Sequence, residues 1–295
     1  MSLSIGIHDL SFATAEFVLP HTALAAYNGT EIGKYHVGIG QELMKIPAAD
    51  EDIVTMGAAA AAPVIARDGS DRIRTVVFAT ESSIDQAKSA GVYVHSLLQL
   101  PSATRVVELK QACYGATAAL QFAIGLVRRD PAQQVLVIAS DVSKYELDSP
   151  GEATQGAAAV AMPVGADPAL VRIEDPSGLF TADVMDFWRP NYRDAAGRRA
   201  GVDQTRICRP SRAPGRTTRS RAAARSRSSP RCYHQPFTMA YKAHRHLLNY
   251  CGYDTDKDDI ARAIARTTAY NTVIGNSYTA SVASPSPRCS TRQTT

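Results

Sequence analysis

Cys113 is the residue best placed to do chemistry, inside VVELKQACYGATAALQFAIGLV (Val106 to Val127). A β-rich stretch, Arg105 to Leu109, leads through Lys110, Gln111 and Ala112 into the cysteine. Small residues follow, then an apolar helical pattern from Ala116 to Val127. A thiol at such a strand-to-helix junction faces the free amides and positive partial charge of a helix N-terminus, which favour the thiolate. A thiolate so held is a nucleophile for acyl transfer. An isolated cysteine is as readily explained by burial in a core, so the residues around it carry the decision.

Glu81 follows a strand pattern in VVFATESSID and falls at a strand's C-terminal end, where α/β sites form. Partial burial would raise its proton affinity and let it remove a proton beside a thioester carbonyl. An acid in a helix's first turn is the plainer alternative. His234, in CYHQPFTMAYKAH, precedes a helical pattern and could exchange a proton with a carbonyl oxygen, or simply sit on the surface. Lys242 and Arg245 share a helix face suited to a phosphate or to solvent. Asn276, in YNTVIGNSYTA, offers an amide donor to an oxyanion, or a turn. Cys232, His234, His244, His246 and Cys251 lack the paired spacing of a zinc site. Neither a GxGxxG nor a P-loop occurs.

Strand patterns at Ser4–Ile7, Arg74–Ala79, Arg105–Leu109 and Gln134–Ser140 must position these groups. Helical patterns at Asp52–Arg67, Ile84–Leu98 and Ala116–Arg129 separate them, and Ala157–Pro163 adds a further strand. Alternation of this kind predicts a layered α/β fold with a largely parallel sheet in residues 1–168. Residues 169–295 offer a strand at Leu170–Ile173, then helices at Thr238–Tyr250 and Asp256–Thr268. This second part is expected to be an incomplete half.

Apolar content of 45% and charged content of 20% describe a globular protein. No apolar run is long enough to span a bilayer, no signal peptide is recognisable, and five irregularly spaced cysteines indicate a reducing compartment, so the cytoplasm is expected. The net charge of +4 comes from one segment. Residues 204–231 hold nine arginines and no acid, and the rest of the chain is mildly acidic. A nucleic-acid arm would need aromatic residues for base stacking, which that segment lacks. Residues 197–231, and the tail 284–295, read instead as aberrant sequence such as an out-of-frame translation produces.

Together the segments FATESSIDQAKSAGVYVH, ELKQACYGAT, VLVIASDVSKYE, YHQPFT and IGNSYTAS resemble hydroxymethylglutaryl-CoA synthase in its bacterial form, with likeness over nearly all of residues 4–194 and 232–283. The resemblance implies a thiolase-like layered fold of two related halves in a homodimer. It implies an enzyme that condenses acetyl-CoA with acetoacetyl-CoA, with no metal or redox cofactor, no nucleic acid and no membrane. In that pattern Cys113 takes the acetyl group, Glu81 deprotonates its methyl, and His234 polarises the second substrate. Asp141 and Asp186 match supporting carboxylates. Thr154, Lys242 and Asn276 match substrate- and CoA-contacting positions.

The family's lysine after HQPFT is replaced here by Met239, residues from about 197 to 231 match nothing in it, and its closing strands have no counterpart after about Val282. Impaired turnover is therefore expected. A polyketide β-branching synthase acting on carrier-protein substrates is the nearest alternative, and a non-catalytic binding protein the more distant one.

Overall fold

Three adjacent strands carry apolar side chains on both faces, which explains their unbroken apolar runs. In β5 (Ile73–Ala79) Val76 and Phe78 face one way, Val77 and Ala79 the other, and all are buried. In β7 (Gln134–Val142) Leu136 and Ile138 oppose Val135, Val137 and Ala139. In β8 (Ala157–Ala166) Ala159 and Ala161 oppose Val160 and Met162. A sheet apolar on both faces needs a helical layer on each. Helix α3 (Ile53–Asp68) and α4 (Ala90–Leu97) cover the first face, and α5 (Gly115–Arg129) covers the second.

The computed structural model describes residues 3–174, 177, 179, 181–183, 187–198, 237–253 and 255–283. The expectations placed on His234, Asp186, the tail 284–295 and residues 199–231 lie outside this set. Ahead of α3 come β1 (Ile5–Ile7), β2 (Ser11–Thr14), β3 (Phe17–Pro20), α1 (His21–Tyr27), α2 (Gly33–His36) and β4 (Leu43–Ile46). Between α4 and α5 runs β6 (Arg105–Leu109), and after β8 come β9 (Val171–Arg172), β10 (Phe187–Trp188) and β11 (Gly197–Arg198). Helices α6 (Phe237–Tyr250) and α7 (Lys257–Ile274) follow, then a 3-10 segment, Tyr278–Ala283. Among the described residues no helix is long and apolar enough to cross a membrane.

The main sheet has seven strands in the order β6-β5-β7-β8-β1-β9, with β2 also paired to β8. It is mixed rather than largely parallel. Strand β5 pairs in parallel with β6 and β7, whereas β8 runs antiparallel to β7, β1 and β2. The connections through α4 and α5 are helical crossovers, which parallel neighbours require. Between β7 and β8 only a single 3-10 turn, Glu152–Thr154, intervenes, so the chain doubles back.

Helix α3 begins where Asp52 accepts hydrogen bonds from the Val54 and Thr55 amides, and Thr55 completes the capping box. Helix α4 is shorter than the expected Ile84–Leu98. The Asp85 carboxylate accepts from the Ala87 and Lys88 amides and holds a turn there. Ser89 then caps the Gly91 amide while Glu108 accepts from Ala90, so the helix begins at Ala90.

Helices α6 and α7 pack together, and α7 is capped by Asp256. It ends at Gly275 with φ of +89°, a conformation that favours glycine. Asn276 then bridges to Gln155, its amide donating to the Thr154 carbonyl at 2.9 Å, and Tyr278–Ala283 packs against α5, β7 and β8. A Cβ on Gly275 would fall 1.9 Å from the Gln155 carbonyl oxygen. Gly275→Ala is accordingly expected to lower the unfolding free energy by about 2–3 kcal/mol, read as a reduced urea midpoint at unchanged slope.

Candidate active site

Parallel pairing of β6, β5 and β7 brings three strand ends to one edge of the sheet. Register places Ala79 beside both Leu109 and Ala139. Thr80, Glu81 and Ser82 leave β5, Lys110 to Tyr114 leave β6, and Asp141 is the last residue but one of β7. Cys113 thus stands just ahead of α5, as its sequence context predicts. Its predecessor Ala112 has φ of +40°, an unfavourable backbone for alanine that the surrounding fold must hold in place.

Asp141 is fully buried and gathers the group. Its Oδ1 accepts from the Thr80 hydroxyl at 2.8 Å, the Glu81 amide at 2.8 Å, and the Ser82 amide and hydroxyl at 3.1 and 2.9 Å. Its Oδ2 accepts from the Thr279 amide at 3.1 Å. These bonds fix the Glu81 loop so that the Cys113 thiol donates to Glu81 Oε2 at 3.8 Å. The Arg189 guanidinium donates to the Glu81 carbonyl. A cavity of 1320 Å³ opens beside the cluster, lined in part by Glu81, Ser82, Lys110, Ala112, Trp188 and Arg189.

Three acidic groups share this small volume, and burial is the first cause of every shift. Burial, then the Asp141 charge, pushes Glu81 up to about 8, against the nearby Arg189 cation and the Cys113 S–H. Asp141 is pushed up to about 6 by burial despite its donors. Cys113 lies well above the usual thiol range through burial and the Glu81 and Asp141 charges. The expectation that the α5 N-terminus favours the thiolate is therefore overturned in the resting arrangement. A partial helix charge is weaker than two nearby carboxylates in a desolvated pocket. All three groups therefore hold a proton more tightly than they would in water.

Residues 2–169 match the family model described as "Hydroxymethylglutaryl-coenzyme A synthase N terminal". The chain belongs to the hydroxymethylglutaryl-CoA synthase family. It is 43% identical over 188 residues to the hydroxymethylglutaryl-CoA synthase of Enterococcus faecalis, covering 64% of this chain and 49% of that one. It is 33% identical over 213 residues to the Bacillus subtilis polyketide biosynthesis 3-hydroxy-3-methylglutaryl-ACP synthase PksG, covering 66% of this chain and 50% of the relative. The chain thus spans about half the length of the curated relatives it matches. The solved structure of MvaS in complex with 3-hydroxy-3-methylglutaryl coenzyme A superposes with a TM-score of 0.84 at 30% identity, covering 96% of this chain and 75% of that one. The sheet with helices on both faces is the thiolase-like architecture of these synthases.

Among the residues that the family pattern singles out, the structure brings Glu81, Cys113 and Asp141 together. The Thr154 hydroxyl donates to the Gly151 carbonyl at 2.6 Å, while its own carbonyl holds Asn276. Asn276 Oδ1 accepts from the Tyr278 amide at 2.9 Å, so the turn forms and Nδ2 is the end left to donate. Lys242 lies on the exposed side of α6 and has no hydrogen bond to the cluster among the described residues. Among the described residues no group of three or more His, Cys, Asp or Glu is arranged to hold a metal ion. Sequence reasoning missed Ser82, Arg189 and Thr279. Their roles rest on partners distant in the chain, and nothing local marks them. Tyr145, Phe187 and Tyr278 also meet edge to face at centroid separations of 5.8 to 6.3 Å.

Removing the Glu81 charge should lower the Cys113 thiol's proton affinity. Glu81→Gln is expected to speed iodoacetamide alkylation of Cys113 severalfold at pH 9, where wild-type Glu81 is ionised. The native state binds the Glu81 proton more tightly than the unfolded chain does. That stabilisation is complete below the unfolded value near 4.5 and is lost as pH rises towards about 8, so the Gln variant should gain on wild type in melting temperature across that window.

Proposed function

We propose that this chain has the chemistry, at impaired turnover, for acetyl transfer and carbon–carbon bond formation on CoA thioesters, condensing acetyl-CoA with acetoacetyl-CoA to 3-hydroxy-3-methylglutaryl-CoA. The contact between the Glu81 carboxyl and the Cys113 sulfur, 3.8 Å apart, is the observation that carries this reading. The Cys113 sulfur attacks the thioester carbonyl, and its proton leaves with coenzyme A as the free thiol. Ionised Glu81 next takes a proton from the acetyl methyl, whose acidity the thioester supplies. The resulting carbanion equivalent adds to the ketone of acetoacetyl-CoA, and His234 supplies the proton at its oxygen. Asp141 and Asp186 support the site, and Thr154, Lys242 and Asn276 bind substrate. Water finally cleaves the thioester to Cys113. The reaction as proposed uses no metal or redox cofactor, and the five irregularly spaced cysteines support a reducing compartment, the cytoplasm.

The half-reactions separate experimentally. Incubation with [14C]acetyl-CoA is expected to label Cys113, identified by peptide mass spectrometry, and Cys113→Ser to leave that peptide unlabelled. Glu81→Gln should retain labelling but lose about 100-fold or more in product formation with acetoacetyl-CoA. An unlabelled wild-type Cys113 would end this reading. Met239, where the family pattern has lysine, is expected to weaken the second half-reaction. The likeness to PksG favours a second reading, in which an acyl carrier protein replaces CoA. Product formed only from carrier-bound acceptor would establish it.

We infer also that the active form is a homodimer. Strand β6 is an edge of the sheet, with Val107 46% exposed, and it runs directly into the Cys113 loop. An exposed apolar edge of this kind is a template for pairing with a second copy. Val107→Lys is expected to convert a dimer to a monomer in sedimentation velocity, and a wild-type monomer at micromolar concentration would refute the assignment.

A further inference from the structure

Thr279 is fully buried in the 3-10 segment and joins two parts of the site that the sequence separates widely. Its hydroxyl oxygen accepts from the Ala116 amide at 2.6 Å, in the first turn of α5 and three residues past Cys113. Its own amide donates to Asp141 Oδ2 at 3.1 Å. Asp141 Oδ1 in turn holds the Glu81 amide, and Glu81 meets the Cys113 thiol. The contacts close a ring: Cys113 to Ala116 along the chain, then Thr279, Asp141, Glu81 and back to Cys113. Four of its links are non-covalent, and two of those pass through Thr279. A first-turn helix amide has no partner within its own helix, so the start of α5 takes its position from whatever accepts that hydrogen. Here the acceptor is a side chain 163 residues away.

We propose that Thr279 is a positioning residue that sets the Cys113 sulfur against the Glu81 carboxyl. Its hydrogen bonds run to Ala116 and Asp141 rather than to either group, so it acts through the start of α5 and through Asp141. The role rests on the reading of Cys113 as nucleophile and Glu81 as base, and it extends the working set beyond the residues that the family pattern marks.

Thr279→Val preserves shape and one methyl but removes the oxygen, leaving the buried Ala116 amide without an acceptor. Thr279→Ser preserves the oxygen. Cys113 alkylation by iodoacetamide, followed from pH 6 to 11 by peptide mass spectrometry, reads the thiol's surroundings without requiring acetyl-CoA. The Val variant is expected to lower the alkylation midpoint by about one pH unit, as the thiol loosens from Glu81, and to lose about tenfold in the rate of acetyl labelling. The Ser variant should overlay wild type in both. A Val profile that matches wild type would overturn the proposal, as would a Ser variant displaced as far as Val. If Thr279→Val fails to fold, amide exchange in the wild-type chain still decides. Ala116 should exchange at least about 100-fold more slowly than a free loop amide, and exchange at the loop rate would overturn the assignment. Absence of acetyl labelling in the wild type would refute the proposed function while leaving the alkylation comparison to judge Thr279.

Discussion

Asp141 is a carboxylate with no exposure to solvent, and that single cost organises the site. Stripping water from an ion costs several kcal/mol, which only charge-assisted hydrogen bonds can offset. Its donors come from two places: Thr80, Glu81 and Ser82 at the exit of β5, and Thr279 far along the chain. Satisfying one buried charge therefore fixes the direction in which Glu81 leaves its strand and docks the Tyr278–Ala283 segment against the sheet. Burial first, and the same charge second, make Glu81 and Cys113 hold their protons more tightly.

The sheet gives this cluster its location. Parallel strands end on a common edge, so β5, β6 and β7 deliver Glu81, Cys113 and Asp141 to one place. The antiparallel return of β8 has its own consequence. It sets Gln155 and Gly156 beside the Asn276 segment, close enough that added side-chain atoms at Gly156 would strike the Ile274 and Gly275 backbone. A wholly parallel sheet would have required a helix between β7 and β8, in the space now filled by the short loop that carries Thr154.

Much of this was legible in the sequence because it follows from periodicity. Apolar runs located β5, β6 and β7, and the apolar stripe located α5 almost to the residue. Glu81 was legible because a polar residue directly after such a run must sit at a strand end. The rest depended on partners that a local pattern cannot contain. The run ending at Ser140 hid Asp141's place inside β7, since a strand interior accepts a carboxylate only when distant donors are present. Helix α4 was overextended because the turn built by Asp85 and the cap from Ser89 override helical periodicity. The state of the Cys113 thiol was misjudged because the helix start is local, whereas the opposing carboxylates arrive from two other strands.

Those carboxylates suit the proposed chemistry better than a standing thiolate would. Exchange of an acetyl group between two thiols moves the Cys113 proton onto departing coenzyme A, so the cluster needs no second permanent charge. The thiol also acts on Glu81: its S–H donates to the carboxyl and lowers that group's proton affinity. Once the sulfur carries an acetyl group it has no hydrogen to donate, and Glu81 loses that stabilisation. A carboxylate deprived of a donor is a stronger base. Acetylation of Cys113 thereby raises the proton affinity of the Glu81 carboxylate that takes the methyl proton, and release of the product restores the donor. The two residues need only their shared contact, held by Asp141, for the first half-reaction to prepare the second.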